Sequence, residues 1–364
     1  MESNDKKTCL HACHVALGAQ MMPFGGFDMP IEYSGLDAEH RAVRESVGVF
    51  DVSHMGEVRI SGKDPLRFVN HIFCNDIESI SDGQILYGMM LYPDGGTVDD
   101  LLVYRVAEDD YFLVFNASNI DKDIAWMHSC AEAYDVKIED QCDIYGEIAV
   151  QGPDSERTLR EVLGIEAADL AFYTFKSLGG NPEVIVSRTG YTGEDGFEIY
   201  AAPADIVSMW EKLMAAGVTP CGLGCRDTLR FEAGLPLYGD ELAADISPVE
   251  AALGMFVKLD KPEFIGREAI ARQKEQGVSR KIVGLEIEGQ ATARHGFEVL
   301  DTDDNVIGSV TTGYNSITLG KNLAMAMVDI AHAALGTQLK VRIRRRVVPA
   351  TVIKKRFYTP NYKK

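Results

Sequence analysis

From about residue 278 the chain changes character. Short apolar runs at 282–287, 298–300, 306–311, 323–328, 338–344 and 347–352 follow one another with little helix between them. Runs of that length, each able to bury one face, predict a separate small β-barrel or sandwich at the end of the chain. The residues before it are mixed. A short helix over 9–20 ends at Gly18, and 22–30 reads as a turn-rich aromatic segment. Helical period over 37–47 places Val43 and Val47 on one face, and strands follow at 49–53 and 56–62. Asp64-Pro65 opens a helix over 63–73, and Pro93-Asp94-Gly95-Gly96 turns a hairpin between 83–92 and 98–106. A strand at 111–114 and a helix at 120–134 complete this stretch.

Past residue 145 the pattern restarts, with a strand at 148–152, a helix at 155–162 and strands at 184–187 and 197–200. Helices follow at 206–216 and 226–233, the second stopped by Gly234-Leu235-Pro236. No strict βαβ rhythm runs through these elements, so the class is α+β and not a Rossmann-type sheet. At 364 residues the chain has room for two or three domains.

The charge excludes some partners. Lys and Arg total 36 against 55 Asp and Glu, a net charge of -19. That argues against general nucleic-acid binding and against coating an anionic membrane. The excess is uneven, because ten Lys or Arg and no acid lie between Lys340 and Lys364. Seven scattered cysteines fit a reducing, cytoplasmic compartment better than a disulfide framework. The pairs Cys9/Cys13 and Cys221/Cys225 lack the C-x2-C spacing of zinc and redox motifs, so no metal is expected even with His11 and His14 nearby. Met1 to Lys7 precede no apolar run, and no transmembrane-length apolar stretch occurs.

Three segments can carry chemistry. In Gly95-Gly96-Thr97-Val98-Asp99-Asp100-Leu101-Leu102-Val103-Tyr104, strand alternation puts Asp100, Leu102 and Tyr104 on one face and Asp99, Leu101 and Val103 on the other. One aspartate can simply start the strand. The other, on a partly buried face, is a candidate general base or electrostatic stabiliser. In the segment from Val186 to Tyr200, Arg188-Thr189-Gly190-Tyr191-Thr192-Gly193-Glu194-Asp195-Gly196 is no phosphate loop, because it lacks G-K-[ST] and carries two acids. Glu198 then faces away from Phe197 and Ile199. A carboxylate there can pair with an amidine-like donor edge, or be a surface glutamate. In 222–239, Arg226 and Arg230 lie four apart near a helix N-terminus and suit an anion, unless Asp227, Glu232 or Asp240 pairs with them.

Taken in order, these segments resemble the aminomethyltransferase, or T-protein, family of the glycine cleavage system. The resemblance also covers His14-Val15-Ala16-Leu17-Gly18-Ala19, Phe50-Asp51-Val52-Ser53-His54-Met55-Gly56, Asn116-Ala117-Ser118-Asn119 and Thr312-Gly313-Tyr314-Asn315-Ser316-Ile317-Thr318-Leu319-Gly320. It implies a three-domain cloverleaf: 1–51 with 145–245 binding folate, 52–144 with 246–278 carrying the catalytic aspartate, and a barrel over 279–364. It implies tetrahydrofolate as co-substrate, no metal, and a lipoyl group carried by a partner, the H protein. By position, Asp100 resembles the essential carboxylate and Glu198 the pterin clamp. Tyr191 and Tyr87 resemble pocket-lining residues, with Asn116 in hydrogen-bonding reach and Met55 lining the channel. Arg226, Tyr362 and Arg294 resemble folate contacts, whereas Glu194 and Arg230 are expected to be structural. H proteins are acidic, so the basic end (Arg344, Arg345, Arg346, Lys354, Lys355 and Arg356 above all) is the expected docking surface. The competing readings are a folate-dependent demethylase on the same scaffold and a non-catalytic folate-binding protein. The second would carry a Lys-Gly-Cys motif, and no cysteine follows Cys225.

Overall fold

The computed structural model describes residues 5–362. Met1 to Asn4, part of the leader reading, and Lys363 and Lys364, part of the basic end, lie outside the described residues. Two open sheets and a closed barrel account for most of the strands. The first sheet has six strands in the order Phe175–Gly180, Glu183–Ser187, Gly196–Ala201, Gly146–Gln151, Gly48–Asp51 and Thr219–Pro220, with only the last pairing parallel. The second has five antiparallel strands in the order Ile85–Leu91, Thr97–Ala107, Asp110–Phe115, Gly56–Gly62 and Val136–Asp140. The barrel closes Arg280–Ile287, Asn322–Asp329, Val306–Asn315, Glu298–Leu300, Gln338–Ile343 and Arg346–Ile353 into a ring around Leu285, Val310, Val328 and Val341.

Each open sheet buries one face under helices. Phe197 and Ile199 of the first pack under Trp210, Ile206 and Leu213 of the helix Pro203–Ala215. Leu101 and Val103 of the second pack with Phe68, Val69 and Ile72 of the helix Pro65–Ile72 and with Met127 of the helix Ile120–Cys130. The remaining faces meet each other. Tyr104 and Phe112 pack there against Tyr200, Phe175 and Ile185, and the Tyr104 hydroxyl lies 3.0 Å from that of Tyr200. These residues line a seam between the sheets, and the functional cavity opens along it.

Several local expectations change. The turn-rich 22–30 segment is a two-stranded ribbon, Gln20–Phe24 against Phe27–Glu32. Pro23 and Pro30 sit in it without breaking it, because a ribbon leaves edge positions where a missing N–H costs nothing. The expected helix over 155–162 is one short α-turn, Ser155–Thr158, followed by a wide π-helical turn, Leu159–Leu163, that ends on left-handed Gly164. The helix over 9–20 shrinks to His11–Ala16 and the one over 120–134 ends at Cys130. The strand Phe175–Gly180 carries no clean alternation, and Val136–Asp140, although it alternates over Val136 to Glu139, is too short to stand out.

Candidate active site

The helix Leu223–Ala233, the facing sides of the two sheets and the C-terminal segment line a cavity of about 350 Å³. Asp100 enters it from the strand Thr97–Ala107. The two glycines before that strand are needed where they stand: Gly95 has φ +93°, and a Cβ on Gly96 would sit 1.8 Å from the Ala244 carbonyl oxygen. Asp100 Oδ2 accepts from the Tyr87 hydroxyl at 2.9 Å. Its Oδ1 accepts from Asn116 Nδ2 at 2.9 Å. Burial, and next the charge of Asp99, push the Asp100 carboxyl up to about 7, against the pull of those two donors. Asp99 points to the opposite face and is wholly buried, as alternation requires.

Glu198 enters from the other sheet, one residue along from Phe197. Its Oε2 accepts a 2.5 Å bond from the Thr189 hydroxyl, and burial raises its pKa. The glycine-rich connection before it is a packing device. A Cβ at Gly190 or at Gly196 would overlap the Gln151 side chain, the nearest approach being 2.0 Å. That side chain in turn holds Thr189 O and the Thr192 hydroxyl. Arg188 and Asp195 close the loop with a buried two-pronged ion pair at 2.9 and 2.7 Å.

Arg226 lies over the Tyr191 ring at 4.7 Å, and the Tyr191 hydroxyl donates to Pro236 O. Among the described residues Arg226 forms no ion pair, so its guanidinium is available to a ligand. Arg230, one turn on, is spent on Asp227 and Glu241 at 2.7 and 2.8 Å. Glu194 likewise pairs with Arg44. Met55 and Tyr362 also line the cavity, Tyr362 stacked on Phe172 with ring centres 4.3 Å apart. Thus Asp100, Glu198, Arg226, Tyr362, Tyr191, Tyr87, Asn116 and Met55 come together. Arg294 does not join them: it sits over Tyr314 at 5.1 Å and donates to Gly313 O in the barrel.

The cavity wall holds residues that sequence reasoning missed. His54 and Glu147 are both buried there. Burial, and next Arg226, hold the His54 imidazole down at about 4, so it is neutral at pH 7. Burial, and next Glu198, raise the Glu147 carboxyl well above its usual range. Tyr173 and Ala252 line the wall in left-handed backbone conformations, φ 62° and 58°. His54 lay inside a quoted string and could have been singled out from it. Glu147 and Tyr173 have no local signal, because only the meeting of the two sheets turns them inward. Among the described residues no cluster of His, Cys, Asp and Glu has the geometry of a metal site.

Similarity to known proteins runs along nearly the whole chain. Residues 10–261 match the GCVT N-terminal domain and 280–359 the glycine cleavage T-protein C-terminal barrel domain. An aminomethyltransferase of Alkaliphilus oremlandii is 48% identical over 99% of both chains. One from Caldanaerobacter subterraneus is 47% identical over 99% of this chain and 98% of its own length. The solved glycine cleavage system aminomethyltransferase T from Bartonella henselae superposes with a TM-score of 0.95 at 31% identity, covering 99% of each chain. With both domain models matched and relatives of 47–48% identity over nearly the full length, the chain belongs to the aminomethyltransferase, or T-protein, family of the glycine cleavage system.

Proposed function

We propose that the cavity takes the pterin of tetrahydrofolate, and that the chain passes to it the methylene of an aminomethyl group carried on lipoylated H protein. The products are 5,10-methylenetetrahydrofolate, ammonia and dihydrolipoyl H protein. The observation that carries this reading is Asp100, fixed by Tyr87 and Asn116 in a cavity it shares with Glu198 and Arg226. The residues suit the ligand. A buried carboxylate such as Glu198 matches the paired N–H donors of a pterin edge, and the rings of Tyr87, Tyr191 and Tyr362 suit a flat heterocycle.

Asp100 then has two tasks. Positive charge develops at the transferred carbon, and a carboxylate already in place stabilises it without the reorganisation that water would need. Of the two N–H protons that the folate gives up, one ends on ammonia and one on sulfur. A carboxyl titrating near 7 is matched to carrying both. The test is ammonia release from lipoylated H protein in the presence of tetrahydrofolate. Release with H protein supports the reading. Turnover only with methylated amines or sulfonium donors would favour the demethylase.

The strand grouping into two sheets and a barrel supports dividing the chain into 1–51 with 145–245, 52–144 with 246–278, and 279–364. All seven cysteines are free thiols, which supports a cytoplasmic location. The basic end supports docking of the acidic carrier, with a changed membership. Lys340 and Arg342 pair with Asp304 and Glu298. Lys355 turns into the cavity wall and donates to Ala251 O. Arg344, Arg345, Arg346 and Lys354 are exposed, while Arg356, also exposed, lines the cavity. Reversing several of the first four charges should raise KM for H protein and blunt its salt dependence. If neither moves, the carrier docks elsewhere.

A further inference from the structure

We propose that Asp99 and Asp123 share one proton and act as a positioning pair for Asp100, gripping it through the side-chain amide of Asn116. The inference rests on the reading of Asp100 as the reacting carboxylate and explains why a second aspartate precedes it. Both Asp99 and Asp123 are completely buried. Asp99 Oδ1 accepts from Asn116 Nδ2 and from Asn119 Nδ2, each at 2.8 Å. Asp99 Oδ2 accepts from the Asn116 backbone N–H at 3.0 Å. Asp123, on the helix Ile120–Cys130, holds the Lys122 ammonium at 2.7 Å through Oδ1. Its Oδ2 is sealed from solvent and has no donor, although Asp99 lies within hydrogen-bonding reach.

Two ionised carboxylates cannot lie this close in a dry interior. One proton between them removes the repulsion and gives Asp123 Oδ2 its partner. The proton lies between them, because each acid has partners for the charge that is left: three N–H donors on Asp99 and the Lys122 ammonium on Asp123. Lys122 balances the single charge that remains, its ammonium also reaching Val98 O and lying 4.9 Å from the Tyr238 ring.

The consequence falls on Asn116. A side-chain amide can turn either end toward a neighbour, and only its nitrogen end suits a carboxylate. Because Asp99 is held as an acceptor, it fixes the nitrogen end. One hydrogen of Nδ2 serves Asp99 Oδ1, and the other is left facing Asp100 Oδ1 at 2.9 Å. Asp99 thus orients the catalytic carboxylate without entering the cavity.

The experiment measures kcat with lipoylated H protein and tetrahydrofolate binding by calorimetry, on the full chain. Asp99→Asn should lower kcat about 10- to 100-fold while folate affinity stays within about twofold. Asp123→Leu should do the same, and Asp123→Asn should recover most of the loss, because an amide N–H donates to Asp99 in place of the shared proton. The pair is overturned if Asp99→Asn keeps wild-type kcat, if kcat and affinity fall together, or if Asp123→Asn is as damaging as Asp123→Leu. Asp100→Asn belongs in the same series. Retained turnover there would sink the underlying reading. Loss there with an unaffected Asp99→Asn would sink only the positioning pair.

Discussion

Two of the three carboxylates lining the cavity, Asp100 and Glu198, come from different sheets, and they are wired differently. Glu198 is held by one short bond from Thr189 on its own loop. Asp100 is held by donors from two neighbouring elements, Tyr87 within the strand Ile85–Leu91 and Asn116 just past Asp110–Phe115, with a second buried acid behind it. Burial raises the pKa of both. The difference is therefore in what restrains them. A recognition carboxylate needs one rigid orientation toward fixed donors, and a single local anchor on a packed loop supplies it. A carboxylate that takes and returns a proton must be steady in both states, which calls for donors on both oxygens and a pKa near the working pH.

The sharpest way to break that comparison is to neutralise each carboxylate in turn. Asp100→Asn should lower kcat about 10²- to 10⁴-fold, and calorimetry should find folate affinity little changed. Comparable turnover in the two proteins would remove Asp100 from the chemistry. Glu198→Ala should show the opposite pattern, with folate binding weakened about 10- to 100-fold, as expected for a lost charge-assisted pair of hydrogen bonds. Among single changes to the cavity this should cost affinity most. Unchanged affinity would refute the clamp.

How far these roles were legible in the sequence follows from what each depends on. Alternation alone placed Asp99 and Asp100 on opposite faces, and Glu198 opposite Phe197, because strand geometry allows nothing else. The C-terminal barrel was legible for the same reason. Local pattern alone did not separate Arg226 from Arg230, since both sit on one helix face; the family resemblance did, and in the structure distant residues, Tyr191 for one and Glu241 for the other, divide their tasks. Glu147 and Tyr173 were invisible because their orientation is set by one sheet meeting another, whereas His54 stood in a quoted string. The ribbon Gln20–Phe24 with Phe27–Glu32 was hidden by its prolines, which argue against strands everywhere except at an edge.

The pH dependence separates the two carboxylates further. Asp100 acts as the ionised form at the start of the reaction, so kcat/KM should fall about tenfold per unit as pH drops below about 7. Tyr87→Phe removes a donor that favours the ionised form. The acid limb should then move to higher pH, and an unmoved limb would deny Asp100 that role. The same group has a stability consequence of definite sign. Its folded-state pKa lies above the unfolded value, so its contribution is fully present below the unfolded pKa of 3.8 and is lost as pH rises through about 7. Asp100→Asn should therefore raise Tm more at pH 8 than at pH 4. An equal change at both would show that the carboxyl is not buried at an energetic cost.

The smallest expected effect tests the single anchor of Glu198. Thr189→Val keeps the shape of the side chain and removes the hydroxyl that donates to Glu198 Oε2. A hydrogen bond to a charged group contributes about 1.5–3 kcal/mol when its partner is left buried. Here, however, the bound pterin would still engage the carboxylate, so affinity should weaken by less, about three- to tenfold. The loss should appear wholly in folate binding, and the acid limb of kcat/KM should stay where Asp100 sets it. If Thr189→Val instead moves that limb, the two carboxylates titrate as one system through the cavity, and dividing recognition from proton transfer between the two sheets is wrong. If it changes neither affinity nor the limb, the packing of Gln151 against Gly190 and Gly196 is enough to hold the loop, and the hydroxyl is incidental.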